Sequence, residues 1–258
     1  MHVYTNIFDT HSHYMDKAFD NDRMELLASL PENGVSRVLL AGCTPEDSAK
    51  SLQLAEQFPF LWCAVGIHPC HVNAKSEAED LQRIADMTFH EKVKAIGEIG
   101  LDYYHRKDNK ELQIRMLCSQ LELAKQLDLP VILHLRDSIG DGLDIIRKYR
   151  PKGVIHCWSG SVETAKEAVK LGMYLGFGGV ATYQNARKVV ETLQWIPPEF
   201  MLLETDCPYL PPVPFRRQRC DSRMIPYTVE RIAEIRNADP QELIDICCEN
   251  GKRLFKIP

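Results

Sequence analysis

Two histidines one residue apart, His11 and His13, close an apolar run at Ile7-Phe8 and so stand where a first β-strand ends. Side chains alternate faces along a strand, which places Asp9, His11 and His13 on one side and Thr10 and Ser12 on the other. Two imidazoles on one face can grip a single metal ion, and neutral imidazole suits Zn, Mn, Fe, Co or Ni. Such a pair alone also fits two half-exposed histidines at a strand end, so the other ligand-type residues decide. His68, Glu98, His134, His156 and Asp206 each fall at the C-terminal end of a later apolar run. Five of the nine histidines therefore gather at strand ends, where a random scatter would spread them through helices and loops.

The set divides chemically. His11, His13 and Asp206 suffice for one ion, His134 and His156 for a second, and Glu98 can bridge them through its two oxygens. Two ions ~3.5–4 Å apart activate a water and stabilise charge on the attacking and leaving oxygens of a displacement. Asp206 can also orient that water or take its proton. His68 is needed for neither ion; it contacts a phosphate or leaving group, or it caps the turn over 66–69. Glu204, on the face of Asp206, is an extra ligand or the buried partner of one. Four imidazoles make a nitrogen-rich site, which suits Mn, Zn or Co better than oxygen-seeking Mg.

Placing these groups together is the work of the intervening elements. Apolar runs predict strands over 7–9, 37–41, 61–65, 93–98, 131–134, 153–156, 174–177 and 201–206. Helical patterns over 24–32, 45–58, 76–90, 111–127, 142–149, 162–171 and 185–193 separate them. Thr44-Pro45-Glu46 reads as an N-cap followed by Pro at the first helical position, and Ser76 with Glu79 has capping-box spacing. A Pro- and Arg-rich loop over 208–226 leads into helices over 227–236 and 240–255. This alternation predicts an α/β fold, a single (β/α)8 TIM barrel over 1–258 with extra C-terminal helices. A doubly wound sheet would carry a Gly-rich phosphate loop after its first strand, where the two histidines stand instead. In a barrel the active site lies at the C-terminal strand ends, the rim to which the candidate ligands map.

The chain has 258 residues, of which 45% are hydrophobic and 26% charged, the balance of a soluble globular domain. The N-terminal residues show no secretory pattern, and no apolar run approaches the ~18 residues that span a bilayer. Nine cysteines, an odd number without C-x-x-C spacing, predict reduced thiols in a cytoplasmic setting. Cys157 and Cys207 follow ligand candidates directly, and alternation turns them away into packing. The net charge of −5 disfavours an extensive grip on duplex phosphates, so any nucleic acid must be met locally.

Taken in register, these motifs resemble the TatD-like hydrolases, metal-dependent deoxyribonucleases on an amidohydrolase-type barrel. The resemblance rests on Asp9-Thr10-His11-Ser12-His13, Gly66-Ile67-His68-Pro69 and Gly97-Glu98-Ile99-Gly100-Leu101-Asp102-Tyr103. It continues in Leu133-His134, His156-Cys157-Trp158-Ser159-Gly160-Ser161 and Glu204-Thr205-Asp206-Cys207-Pro208-Tyr209-Leu210, and runs to Asn250…Arg253-Leu254-Phe255. It implies metal ligation by His11, His13, Glu98, His134, His156 and Asp206, two divalent ions (Mg, Mn or Zn) and hydrolysis of DNA phosphodiesters from the 3′ end. One loop departs: where the family reads Arg-Gly-Lys-x-Asn, this chain has Arg216-Arg217-Gln218-Arg219-Cys220. Arg cannot take φ > 0 as cheaply as Gly, so substrate contacts carried by that loop are open.

Arg216, Arg217, Arg219 and Arg223 nevertheless form the densest basic patch of an acidic chain, with Arg216 and Arg219 the choice for substrate phosphates. Tyr103, Tyr104, Trp158, Tyr183 and Tyr209 follow strands, and Trp158 and Tyr209 are the choice for stacking bases. Met15, His71 and His105 have no assignable role. The resulting expectation is a two-metal exonuclease on single-stranded or frayed DNA, catalysed through Asp206, Glu98 and His68, with no membrane and no obligate protein partner. The competing class is a small-molecule amidohydrolase or deaminase. Many of those bridge their metals with a modified lysine, yet here Glu98 holds the fourth strand end while Lys92 and Lys94 stand at its start.

Overall fold

The computed structural model describes residues 4–258. Eight parallel strands form one sheet in sequence order: β1 (Ile7–Ser12), β2 (Val35–Ala41), β3 (Leu61–Val65), β4 (Val93–Asp102), β5 (Val131–Arg136), β6 (Gly153–Ile155), β7 (Tyr174–Phe177) and β8 (Met201–Leu203). The seam between β8 and β1 closes at the top, where the Asp206 amide donates to the His11 carbonyl (2.9 Å) and the His13 amide to that of Cys207 (2.7 Å). The predicted TIM barrel is therefore the fold.

Helices α1 (Arg23–Ser29), α2 (Pro45–Ala55), α3 (Glu77–Met87), α4 (Lys110–Gln126), α5 (Ile139–Tyr149), α6 (Val162–Lys170) and α7 (Arg187–Trp195) link successive strands. Two more, α8 (Ile225–Arg236) and α9 (Pro240–Phe255), follow β8. Thr44 caps α2 as predicted, accepting the Asp47 amide with Pro45 in the first turn. The capping box at α3 does not form: the Ser76 hydroxyl donates to the Asp80 carboxylate (2.6 Å) and accepts no amide. Among the described residues no helix is long and apolar enough to cross a membrane. All nine cysteines are free.

The sheet divides the core into two. Its inner face contributes Phe8, Leu39, Trp62, Ala95, Ile132, Val154 and Leu202, one side chain from nearly every strand, to a barrel filling. Helix α9 seals the floor with Leu254 and Phe255, the Phe255 ring standing edge-on to Phe8 at 6.2 Å. Gly251 is required there, because a Cβ would lie 2.7 Å from the Phe8 ring. The outer face packs a larger apolar layer against the surrounding helices. Barrel interiors are solid in this way, so chemistry is confined to the rim.

Two register shifts tune that rim. One lies between Asp9 and Ser12 in β1 and interrupts the alternation on which the sequence reading relied. Asp9 consequently does not join the histidines; its carboxylate accepts from the Thr205 amide (3.0 Å) and the Thr205 and Ser222 hydroxyls (2.7 Å each). The other lies between Ile96 and Ile99 and brackets Glu98, while β4 continues beyond its predicted end to Asp102. Bulges of this kind re-aim side chains beside active sites.

Candidate metal centre

Glu98, almost fully buried in β4, stands between two groups of ligands. Its Oε2 lies 3.4 Å from His11 Nε2 and 3.5 Å from His13 Nε2. Asp206 Oδ1 approaches the same two nitrogens at 3.5 and 3.2 Å. On the opposite side Glu98 Oε1 lies 2.8 Å from both His134 Nδ1 and His156 Nε2. The His11 and His13 nitrogens are 3.0 Å apart, as are those of His134 and His156. The His11 and His156 rings stack across the centre at 4.0 Å. All six predicted ligand residues thus converge, drawn from β1, β4 and β5 and from the segments just beyond β1, β6 and β8.

The donor chemistry fits metal ions. His13 Nδ1 faces the Ala41 carbonyl at 2.9 Å, an arrangement that puts the proton on Nδ1 and leaves the Nε2 lone pair facing the cluster. His134 is turned the other way: Nδ1 faces Glu98, and Nε2 lies 3.3 Å from Asp102 Oδ2. Such carboxylate–imidazole contacts orient metal-binding histidines and raise their basicity. His156 presents Nε2, while its buried Nδ1 has no hydrogen-bond partner and lies 3.9 Å from Glu204 Oε1. Glu204 accepts the Cys157 amide at 2.6 Å, which makes it the buried support of the two sequence alternatives.

Electrostatics follow the same division. Burial pushes the Glu98 carboxyl up, but the surrounding histidines prevail and hold it well below the usual carboxylate range. Burial would lower His134, yet its hydrogen bonds to Asp102 and Glu98 carry it up to about 9. Burial dominates at His11, lowered to about 4, and at His68, lowered to about 3. It also raises Glu204 to about 8.

His68 both caps and faces the site. Its Nδ1 accepts the Cys70 amide at 3.1 Å, and Nε2 lies 3.5 Å from Glu98 Oε1. Asp102 is the support that sequence reasoning quoted without a role. Its signal was available, since it lies four residues beyond Glu98 in the same extended run.

The substrate residues fare unevenly. Tyr209 stands half-exposed at the mouth, its ring 6.3 Å from that of His13 and its hydroxyl donating to Asp16 (2.9 Å). Trp158 does not face the mouth: it is 2% exposed and its indole N–H donates to Thr192 of α7, so it cannot stack a base. Arg219 leaves the basic patch, gripped by both oxygens of Asp22 at 2.7 and 2.6 Å. Arg223 is similarly held by Asp221. Arg216 and Arg217 are exposed, the former lying over the Tyr183 ring at 3.7 Å.

Known proteins share this architecture. A family profile described as TatD related DNase matches residues 8–256. The metal-dependent hydrolase YabD of Bacillus subtilis is 38% identical over 254 residues, covering 97% of this chain and 99% of that protein. The 3′-5′ ssDNA/RNA exonuclease TatD of Salmonella typhimurium is 32% identical over 260 residues, covering 97% and 99%. The crystal structure of YjjV, a TatD homologue of Escherichia coli, superposes with a TM-score of 0.92 at 32% identity over 98% of this chain and 99% of that one. Buried histidines and carboxylates converging on one barrel rim, within a family match that runs nearly end to end, place the chain in the TatD family of metal-dependent hydrolases.

Proposed function

We propose that the chain is a 3′-to-5′ exonuclease on single-stranded or frayed DNA, working through two divalent ions. The observation that carries the two-ion reading is the division of Glu98, with one oxygen toward His11, His13 and Asp206 and the other toward His134 and His156. Those residues would hold the ions, with Glu98 between them. Bound there, the ions supply Lewis acidity, making water nucleophilic near neutral pH and offsetting charge on the phosphoryl oxygens.

The chain's own groups account for the remaining tasks. Asp206 is slightly open to the mouth and kept ionised by the neighbouring histidines, so it can orient the attacking water and accept its proton. His68 is neutral because of its burial and, with Nδ1 accepting an amide, carries its proton on Nε2; it is placed to donate to a phosphoryl oxygen. Tyr209 offers a face for the terminal base, a contact worth ~1–3 kcal/mol without sequence preference. Arg216 supplies a charge for the backbone.

End attack is the mode this reading favours. His11, Glu98 and His156 are buried at the strand ends, so the scissile bond must be brought inward, which a free single-strand end does more readily than an internal bond of a duplex. The acidic balance of the chain opposes the broad phosphate grip that an internal duplex cutter needs. The polarity, and RNA as a second substrate to assay, come from the name of the Salmonella relative. The test compares linear with circular single strands of equal length, 3′-blocked with 5′-blocked ends, and DNA with RNA, alongside amide and nucleoside panels. Cleavage restricted to free 3′ ends is expected. Equal cutting of the circle would refute end attack, and turnover of an amide in place of nucleic acid would move the site to the amidohydrolase reading.

A further inference from the structure

We propose that Cys70, Asp102 and His105 form a third cation site, for a zinc-class ion, at the barrel rim beside the two-ion centre. Asp102 Oδ2 lies 2.8 Å from His105 Nδ1 and 3.6 Å from Cys70 Sγ, and the three ligand atoms fall within 4.8 Å of one another. They come from two pieces of chain: the 3₁₀ turn Pro69–His71 after β3, and the end of β4 with the loop that continues it. The site is independent of which substrate the two-ion centre takes.

Its parts are fixed in advance. Asp102 is 1% exposed, and its Oδ1 accepts the amides of Tyr104 (2.9 Å) and His105 (2.7 Å), which aims Oδ2 at the other ligands. The Arg106 guanidinium donates to the Cys70 carbonyl at 3.3 Å and ties the loop to the turn. A thiolate and a carboxylate neutralise a dication, and an imidazole completes a sulfur, oxygen and nitrogen set that favours Zn or Co over Mg or Ca. The half-exposed His105 leaves one position of a tetrahedral ion open to solvent.

Asp102 couples this site to the centre, because the same Oδ2 faces His134 Nε2 at 3.3 Å. An ion drawing on that oxygen weakens its hold on His134. Occupancy at the rim therefore slows turnover, and excess zinc acts as an inhibitor.

The experiment titrates Co(II) alone into the full chain stripped of metal, reading ions bound per chain and the thiolate-to-cobalt charge-transfer band. Wild type should show the band; Cys70→Ser should lose it along with one ion per chain, and Cys43→Ser should retain it. The control is needed because Cys43 Sγ lies 3.9 Å from Glu98 Oε2 and offers the other nearby thiol. Inhibition by excess zinc should disappear in Cys70→Ser with turnover at limiting zinc unchanged. His105→Ala, an exposed change outside the core, should lose about tenfold or more in affinity for the rim ion and gives the same answer if Cys70→Ser fails to fold. Absence of a band in wild type at saturating Co(II), or a band abolished by Cys43→Ser and kept by Cys70→Ser, would overturn the proposal.

Discussion

At the scale of single residues, the centre depends on groups that face two ways. Glu98 touches both halves of the ligand set, so Glu98→Ala should lower kcat by at least about 10³ while leaving the fold intact. Near-wild-type turnover at saturating metal, with an unchanged circular-dichroism spectrum, would remove its bridging role. Asp102 acts through His134, and Asp102→Ala should weaken metal binding by about 10–100-fold. Asp102→Asn keeps an oxygen that can accept from Nε2 and should recover part of that loss by calorimetry; equal losses would leave Asp102 a purely steric role. His134 also gives binding a pH signature. Its proton is held up to about 9 in the metal-free protein, so at pH 7 an incoming ion must expel it. Affinity should rise with pH through that range and fall as the medium acidifies. Calorimetry in two buffers of different ionisation enthalpy should register the released proton; identical heats would show the ring already neutral.

At the scale of elements, strand ends were readable because apolar runs and parallel-barrel geometry constrain one another. His11, His13, His134 and His156 follow from that logic alone. What escaped it depends on contacts between distant segments. Asp9 shares parity with His11, but a register shift in β1 separates them. Trp158 looks like a rim aromatic until α7 supplies Thr192 as a partner for its indole. Arg219 lies 197 residues from the Asp22 that holds it, a separation no local pattern reports. The pairing of β4 with β5 shows how narrow the tolerances are. Gly100 sits opposite His134 with φ near +150°, and a Cβ there would meet the His134 carbonyl oxygen at 2.0 Å. Gly100→Ala should therefore push β5 away from β4, costing about 1–3 kcal/mol and displacing His134. Thermal unfolding and metal titration should both register it; an unshifted Tm would show that the strands can part without penalty.

At the scale of the whole molecule, substrate meets a body of net charge −5. Arg219 is partly exposed and paired, so Arg219→Ala should cost only about 0–1 kcal/mol of stability. Arg216→Ala combined with Arg217→Ala should instead raise KM, leave kcat nearly constant and flatten the salt dependence of cleavage. An unaltered salt slope would show the patch to be merely solvated.

The floor of the barrel also governs how the chain is made. Residues 204–207 complete the seam with β1, and α9 covers the base of the filling only after both end strands exist. At about 5–20 residues per second, the first strand waits on the order of ten to forty seconds for the partner that closes it. Throughout that interval the nascent sheet carries an unpaired edge and an uncovered apolar face, the aggregation-prone condition that closure ends. The same floor brings Asn6 and Pro258 together: Arg37 reaches the Pro258 carbonyl (2.6 Å) and the Asn6 side chain (3.4 Å), and the Asn6 amide reaches Asp245 (3.0 Å). Joining them by a short linker and opening the chain elsewhere would deliver α9 ahead of β1, so that synthesis begins with the lid and builds the vessel upon it.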